Sequence, residues 1–231
     1  MKMKMNYKFR HFGFLAILIV AGWTACATAM ESEPITSFDS TWQTVPQGCN
    51  APAITTDAAT INMQTQGSET GCSGIFYKTG TNGVTGMWAT LQVDEIGGFG
   101  RIGIQGSFGL IGNSKIQAQL FLEQYENHKS IRYNIKSIDL YTGSCLYLSI
   151  GTIGSWENSW VPGDQINVAF AIVENEIWIY ADAYPQLMKL QMLDEITPYN
   201  DFGYPAAFFW TDAGSENSIS GSVSDIFLIY P

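Results

Sequence analysis

Residues 160–184, WVPGDQINVAFAIVENEIWIYADAY, decide the fold that this sequence predicts. Apolar side chains alternate along Gln165–Val173 and again along Glu176–Asp182, the period of two that is typical of strands with two different faces. Pro162-Gly163 predicts a turn before the first strand. Glu174-Asn175 predicts a two-residue turn between the strands, with Asn in the left-handed region that such turns require. The stretch therefore predicts a β-hairpin.

Alternating segments of the same kind recur outward from this hairpin, and no long helical pattern follows residue 29. The one ambiguous segment, Gln186–Leu193, suits a strand or a helical turn, and we favour a strand. About a dozen short strands predict an all-β fold, an antiparallel β-sandwich of jelly-roll type with two curved sheets. We expect a polar lead-in over residues 30–36, one domain over residues 37–231, and a last strand that lies near the first. The other predicted strands are Phe38–Val45, Ala58–Gln64, Ile75–Lys78, Gly86–Asp94, Phe99–Phe108, Lys115–Tyr125, Ser130–Leu140, Cys145–Ile150, Ala206–Thr211 and Ser218–Tyr230.

The charge of the chain is strongly acidic and unevenly distributed. The sequence has 231 residues and a formal net charge of −10, but all 21 acidic residues follow Met30. Residues 30–231 contain seven basic and 21 acidic residues, a net charge of −14. Such a surface repels phosphate backbones, so we expect no nucleic acid as a partner.

Residues 1–29 resemble an export signal. A basic start, Met1–His11, precedes an apolar run, Phe12–Trp23, and the segment ends in Ala27-Thr28-Ala29. This order predicts a signal peptide cleaved after Ala29 and a secreted or periplasmic protein. The apolar run is too short to span a bilayer core of about 30 Å, so we expect no transmembrane segment. A lipid anchor at Cys26 is the alternative, and both interpretations place the domain outside the cytoplasm.

Three cysteines follow the predicted signal. Cys49 and Cys72 lie in glycine-containing turns that flank the strand Ala58–Gln64, and export permits disulfides. We expect a Cys49–Cys72 bridge, which stabilises a domain by about 3 kcal/mol in the chain-entropy estimate. Cys145 lies in an apolar strand and is expected to be a small buried hydrophobe. His128 is the one histidine after the signal, so no zinc site is predicted.

The C-terminal half resembles a known superfamily. The resemblance rests on W-x-P-G-D at residues 160–164, the tight turn at Glu174-Asn175, the aromatic strand Ile177–Ala181 and the closing strand Gly221–Ile229. These features are similar to the concanavalin A-like jelly rolls, which include lectins, laminin-G-like modules and glycan-active enzymes. The resemblance implies two curved sheets with ligands on the concave face or on the rim loops. Fold alone does not define function.

Candidate catalytic carboxylates are few. Laminarinase-type hydrolases of this superfamily carry an E-x-D-x-x-E strand, and Glu174-Asn175-Glu176 is the nearest approach to it here. Those two carboxylates would lie about 6–7 Å apart on an extended chain, near the separations that glycosidases use. Glu174 falls in the turn and the third acid is missing, so a solvated hairpin tip is the favoured interpretation. Glu123 and Glu126 would face opposite sides of a strand, so no catalytic residue is predicted.

Outward aromatic and planar polar side chains favour binding over catalysis. Sugar rings stack on aromatic rings, and their hydroxyls bond to amides, carboxylates and guanidinium groups. The alternative is that outward aromatics only stabilise the sheets by packing across strands. The alternation could place eight such side chains on one surface, and these form the predicted ligand-binding set: Trp88, Arg101, Gln105, Gln119, Glu123, Tyr125, Trp178 and Tyr180.

The loop Asp212–Asn217 supplies several oxygen donors, so calcium is conceivable there, although an ordinary acidic turn is the favoured interpretation. No other cofactor is predicted. The sequence therefore predicts an exported, non-catalytic module that recognises a carbohydrate or a surface protein. A glycoside hydrolase or polysaccharide lyase on the same fold is one alternative, and a structural or adhesive envelope protein is the other.

Overall fold

A computed structural model describes residues 30–47, 53–66, 71–81, 83–155, 157–192, 194–198, 204–214 and 216–230. The predicted signal peptide, the alternative anchor Cys26 and the cysteine Cys49 lie outside these residues. The described residues form sixteen β-strands and no helix. Accordingly, none of them belongs to a helix that could cross a membrane.

The strands form two antiparallel sheets. The first sheet has the order β13-β12-β11-β6-β16-β4-β3, with β1 beside β16, and the second has the order β10-β9-β8-β7-β15-β5-β2, with β14 beside β7. The predicted fold class, a β-sandwich of jelly-roll type, is confirmed. The strands are β1 (Glu31–Pro34), β2 (Trp42–Gln47), β3 (Ala53–Asp57), β4 (Thr60–Gln66), β5 (Cys72–Lys78), β6 (Gly86–Gly97), β7 (Gly100–Ile111), β8 (Ser114–Tyr125), β9 (His128–Asp139), β10 (Cys145–Ile153), β11 (Gln165–Val173), β12 (Glu176–Ala181), β13 (Tyr184–Gln191), β14 (Thr197–Pro198), β15 (Ala206–Thr211) and β16 (Ser218–Tyr230).

The predicted hairpin is present as β11 and β12, paired in register from Val173 and Glu176 to Val168 and Ala181. Its turn differs in one detail from the expectation. Glu174, with φ of 54°, occupies the left-handed region in place of Asn175. Asn175 instead holds the following chain, because its backbone oxygen accepts from Met192 N and its Oδ1 from Ile196 N. Asn175 therefore stabilises the hairpin through these hydrogen bonds.

The core lies between the two sheets and is built by every second residue of the long strands. In the first sheet, β11 contributes Val168 and Phe170, and in the second, β7 contributes Ile102 and Ile104. Phe170 meets Phe108 across the interface with ring centroids 5.4 Å apart. Burial of each side chain of this size stabilises the fold by about 1.5–3 kcal/mol. The apolar residues of each strand therefore face the core, and the residues between them face outward.

Several segments differ from the predicted elements. Glu31–Pro34, in the predicted lead-in, forms β1 against the end of β16. Ala53–Asp57 forms β3, which the sequence interpretation missed. The ambiguous Gln186–Leu193 segment is a strand, β13, that begins two residues earlier than expected and ends at Gln191. The last strand, β16, lies beside β1 and not beside the predicted first strand, Phe38–Val45, which overlaps β2 at the edge of the second sheet.

The prediction of a buried Cys145 is wrong. Cys145 is an exposed free cysteine at the start of β10. The apolar run around it suggested a core strand, but β10 is the outermost strand of the second sheet, and Leu146 is 65% exposed. Cys72 is buried. The Cys49–Cys72 bridge stays a prediction because Cys49 falls outside the described residues.

Candidate functional site

The structure divides the predicted ligand-binding set between two sheets. Trp88 lies on β6, and Trp178 and Tyr180 lie on β12, all three on the outer face of the first sheet. The remaining residues lie on β7 and β8, on the outer face of the second sheet. The core separates the two groups, so the eight side chains do not form one surface. Those on the second sheet are Arg101, Gln105, Gln119, Glu123 and Tyr125.

The three aromatic residues on the first sheet are buried. They form a small cluster with Ala169, against which Phe227 and other apolar side chains pack. Trp178 Nε1 donates to a Glu176 carboxylate oxygen at 2.7 Å. Burial, together with the nearby Asp182, raises the pKa of the Tyr180 phenol above its ordinary value. Packing therefore accounts for these residues without a ligand.

The outer face of the second sheet carries a row of amide side chains, here called the amide row: Gln105, Gln119 and Asn134. These residues lie side by side on β7, β8 and β9. Gln119 Nε2 donates to Gln105 Oε1 at 2.8 Å, and Asn134 Nδ2 donates to Gln119 Oε1 at 3.4 Å. Since each amide carries both donors and acceptors, the row offers a fixed pattern of hydrogen-bonding groups across three strands.

An ion cluster lies beside the amide row on the same face. The Glu123 side chain is only 1% exposed and accepts from Arg101 Nε and, at 2.7 Å, from Arg132 Nη1. The two arginine side chains remain 25% and 21% exposed. Glu123 is therefore a positioning residue, because it holds both guanidinium groups while it has almost no contact surface of its own.

Three aromatic rings surround the Arg101 guanidinium. Its Cζ lies 4.6 Å from the ring centroid of Trp210 and 5.0 Å from those of Phe99 and Phe121. Cation–π attraction of this kind adds to the fixation by Glu123. Gly103 allows β8 to lie close at Phe121, since a Cβ on Gly103 would lie 2.5 Å from Phe121 Cβ. The guanidinium is thus presented in a fixed orientation.

Aromatic side chains also border this face. Tyr125 is exposed and meets Phe99 edge to face, with centroids 5.9 Å apart. Tyr77 lies on β5, where its hydroxyl donates to Gln43 Oε1 at 2.9 Å. On the opposite side, Tyr147 of β10 is half exposed. The outer face of the second sheet therefore combines amides, caged cations and accessible rings.

Four residues of this face escaped the sequence analysis: Arg132, Asn134, Lys136 and Trp210. The signal for three of them was present, because Arg132, Asn134 and Lys136 alternate with the core residues Ile131, Tyr133 and Ile135 along β9. Trp210 lies in the predicted strand Ala206–Thr211, but the sequence analysis did not assign it to a face. Trp210 lies directly opposite Arg101 in the antiparallel pairing of β15 with β7.

The carboxylates considered for catalysis lie elsewhere or are already paired. Glu174 and Glu176 belong to the hairpin tip of the first sheet, and Glu126 lies in an exposed turn. Among the described residues, Glu123 is the one carboxylate on the outer face of the second sheet.

In the possible calcium loop, Asn217 is engaged by the backbone, since its Oδ1 accepts from Phe99 N and its Nδ2 donates to Ala213 O. The described residues hold no group of three or more candidate metal ligands.

Comparisons with known proteins show similarity of structure without similarity of sequence. The chain matches no protein-family model, and no curated protein is similar to it in sequence. A native glycosidic hydrolase superposes with a TM-score of 0.55 at 12% identity, covering 90% of this chain and 98% of its own. A β-glucanase of Bacillus licheniformis gives 0.54 at 15% identity, covering 87% and 98%. The CBM2 module of the evolved Dit of Lactobacillus casei BL23 phage J-1 gives 0.51 at 11% identity, covering 87% and 96%.

These similarities show the fold. The chain has the concanavalin A-like jelly-roll fold, as the resemblance in its C-terminal half implied. The same fold is used by the hydrolase, the β-glucanase and the CBM2 module, so the function of this chain has to be argued from its own surface.

Proposed function

We propose that this concanavalin A-like jelly roll is an exported, non-catalytic module that binds carbohydrate on the outer face of its second sheet. The observation that supports the proposal most directly is the amide row, Gln105, Gln119 and Asn134, which lies beside a caged guanidinium and is bordered by exposed rings. Sugar hydroxyls donate and accept hydrogen bonds, and sugar rings stack on aromatic faces. This face offers partners for both.

The arrangement is ordered before any ligand arrives. Gln119 is held between Gln105 and Asn134, and Arg101 is held by Glu123 and three rings. A rigid contact set loses little side-chain entropy on binding, which is a large part of the cost of recognition. The similar solved structures add support, since they include a β-glucanase and a CBM2 module.

We propose a non-catalytic role because Glu123, the carboxylate on this face, is buried and already paired. Glycosidases use two carboxyl groups, about 5–5.5 Å apart in retaining enzymes and about 6.5–9.5 Å apart in inverting ones. The Glu123 side chain is buried and both of its carboxylate oxygens are engaged by arginines, so it has almost no surface to offer a substrate. The described residues supply no second carboxylate on this face.

An adhesive or structural role in the cell envelope is the second candidate. The specific observation in its favour is the edge strand β10, on which Leu146, Tyr147 and Ile150 are exposed. An exposed apolar edge strand is a template for pairing with another strand. This candidate predicts concentration-dependent self-association in the absence of any glycan, which sedimentation velocity measures.

The test is binding of the protein, purified after export, to a panel of soluble polysaccharides with and without a chelator. We expect at least one polymer to be bound, with no shortening of its chain after long incubation and no loss of binding in the chelator. Shortening of the polymer would indicate a hydrolase or lyase, and loss with the chelator would indicate a metal. No binding by demonstrably folded protein would contradict the proposal.

A further inference from the structure

Positive charge is concentrated on the second sheet of an otherwise acidic protein. Of the seven lysines and arginines in residues 30–231, six belong to strands of the second sheet. The strands of this sheet carry only two acidic residues, Glu123 and Asp139. The six basic residues are Lys78, Arg101, Lys115, Lys129, Arg132 and Lys136.

The first sheet has the opposite balance. Its strands carry one basic residue, Lys189, which lies 3.6 Å from the carboxylate of Glu176. The seven acidic residues on these strands are Glu31, Glu33, Asp57, Asp94, Glu95, Glu176 and Asp225. The two sheets therefore differ in sign, and a charged polymer that approaches the molecule is oriented by this difference.

Four of the six cations of the second sheet lie on its outer face. Arg101 and Arg132 hold Glu123 there, and Lys136 lies over the Tyr147 ring at 5.1 Å. Lys115 shares the face of Gln117 and Gln119, because residues two apart on one strand point to the same side. Since Glu123 neutralises one of the four, the outer face keeps an excess of positive charge.

We infer that the carbohydrate bound on this face is an anionic polysaccharide, one that carries sulfate or carboxylate groups. The inference rests on the proposed function and specifies the ligand class for the same site. A guanidinium group matches the geometry of carboxylate and sulfate oxygens, and Arg101 is held in one orientation by its rings. Lys115 and Lys136 supply charge on one side of the amide row, and Arg101 and Arg132 supply it on the other. The amide row itself bonds to the uncharged hydroxyls.

The test compares matched polymers that differ in charge: agarose with κ-carrageenan, and dextran with dextran sulfate. We expect at least tenfold tighter binding of the charged member in affinity electrophoresis, and weaker binding as salt rises from 50 to about 500 mM, because salt screens exposed charges. The double variant Lys115→Gln, Lys136→Gln should lose at least fivefold in affinity for the charged polymer. Lys189→Gln, on the other sheet, is the matched control and should stay within twofold of the parent protein.

The possible outcomes separate the two proposals. Equal binding of the neutral and charged members would overturn the anionic inference and leave carbohydrate binding in place. Binding to no polymer would overturn carbohydrate binding itself. Inorganic polyphosphate bound as tightly as the charged polysaccharides would also overturn the inference, because the face would then recognise charge without the sugar.

Discussion

At the scale of single residues, Glu123 determines the geometry of the outer face of the second sheet. Its carboxylate is almost completely buried and accepts from two arginines on neighbouring strands. Removal of one partner from a buried ion pair costs about 3–5 kcal/mol, because the remaining charge is left without compensation. Here both arginine side chains keep about a fifth of their surface in water, which lowers that cost.

Glu123→Gln should therefore lower the free energy of unfolding by about 1–3 kcal/mol, since the amide keeps the shape and loses the charge. Urea denaturation measures the change. Glu126→Gln, three residues away in an exposed turn, is the control and should shift stability by less than about 0.5 kcal/mol. Equal effects of the two substitutions would show that the ion cluster does not stabilise the sheet.

At the scale of elements, β1 depends on a side-chain contact with β16. All four residues of β1 are exposed, and the Tyr230 hydroxyl donates to Glu33 Oε2 at 2.8 Å. Burial, and then the hydrogen bond and charge of Glu33, raise the pKa of Tyr230 to about 12. An unfolded tyrosine ionises near pH 10, so folding keeps this phenol protonated where the unfolded chain would release the proton.

This shift predicts a loss of stability at alkaline pH. Below about pH 10 the phenol is neutral in both states, and the hydrogen bond contributes in full, about 1 kcal/mol. Between about pH 10 and 12 the unfolded chain loses the proton, so that contribution falls. Tyr230→Phe should be less stable at pH 8, and the difference from the parent protein should disappear as pH rises to 12.

Urea denaturation across that pH range measures the effect. Tyr141→Phe, at a ring that is 83% exposed, is the matched control and should follow the parent protein throughout. A constant difference between Tyr230→Phe and the parent from pH 8 to 12 would contradict the argument.

The elements also show what the sequence could and could not predict. Alternation placed Trp88, Arg101 and Gln119 correctly on the outward side of their own strands, because side-chain direction depends only on local backbone geometry. It could not assign those strands to a sheet, since pairing joins residues far apart in the chain. Trp88 therefore seemed to share a surface with Arg101, although their strands belong to different sheets.

Strand order explains the error at Cys145 as well. An apolar run predicts burial only if the opposite sheet covers the strand, and the outermost strand β10 leaves Leu146, Tyr147 and Ile150 exposed. The sequence analysis missed Arg132 as a partner of Glu123 for a related reason. Arg132 lies nine residues away, and only the register of β8 against β9 brings it within hydrogen-bonding distance.

At the scale of the whole molecule, the jelly roll separates two surfaces of different character. The first sheet is acidic, and its outward aromatics are buried in a packed cluster. The second sheet carries most of the basic residues and presents its amides, guanidinium groups and rings toward solvent. The central claim is therefore one of location: carbohydrate binds to the outer face of the second sheet.

The most direct test compares one substitution on the two sheets. Gln119→Ala removes the middle of the amide row, and Gln165→Ala removes an exposed amide from β11 of the first sheet. Affinity is measured for a polymer that the parent protein binds, with the urea midpoint of each variant as the check on folding. We expect at least a tenfold loss of affinity for Gln119→Ala and less than a twofold change for Gln165→Ala. Equal affinity of the two folded variants would contradict this expectation.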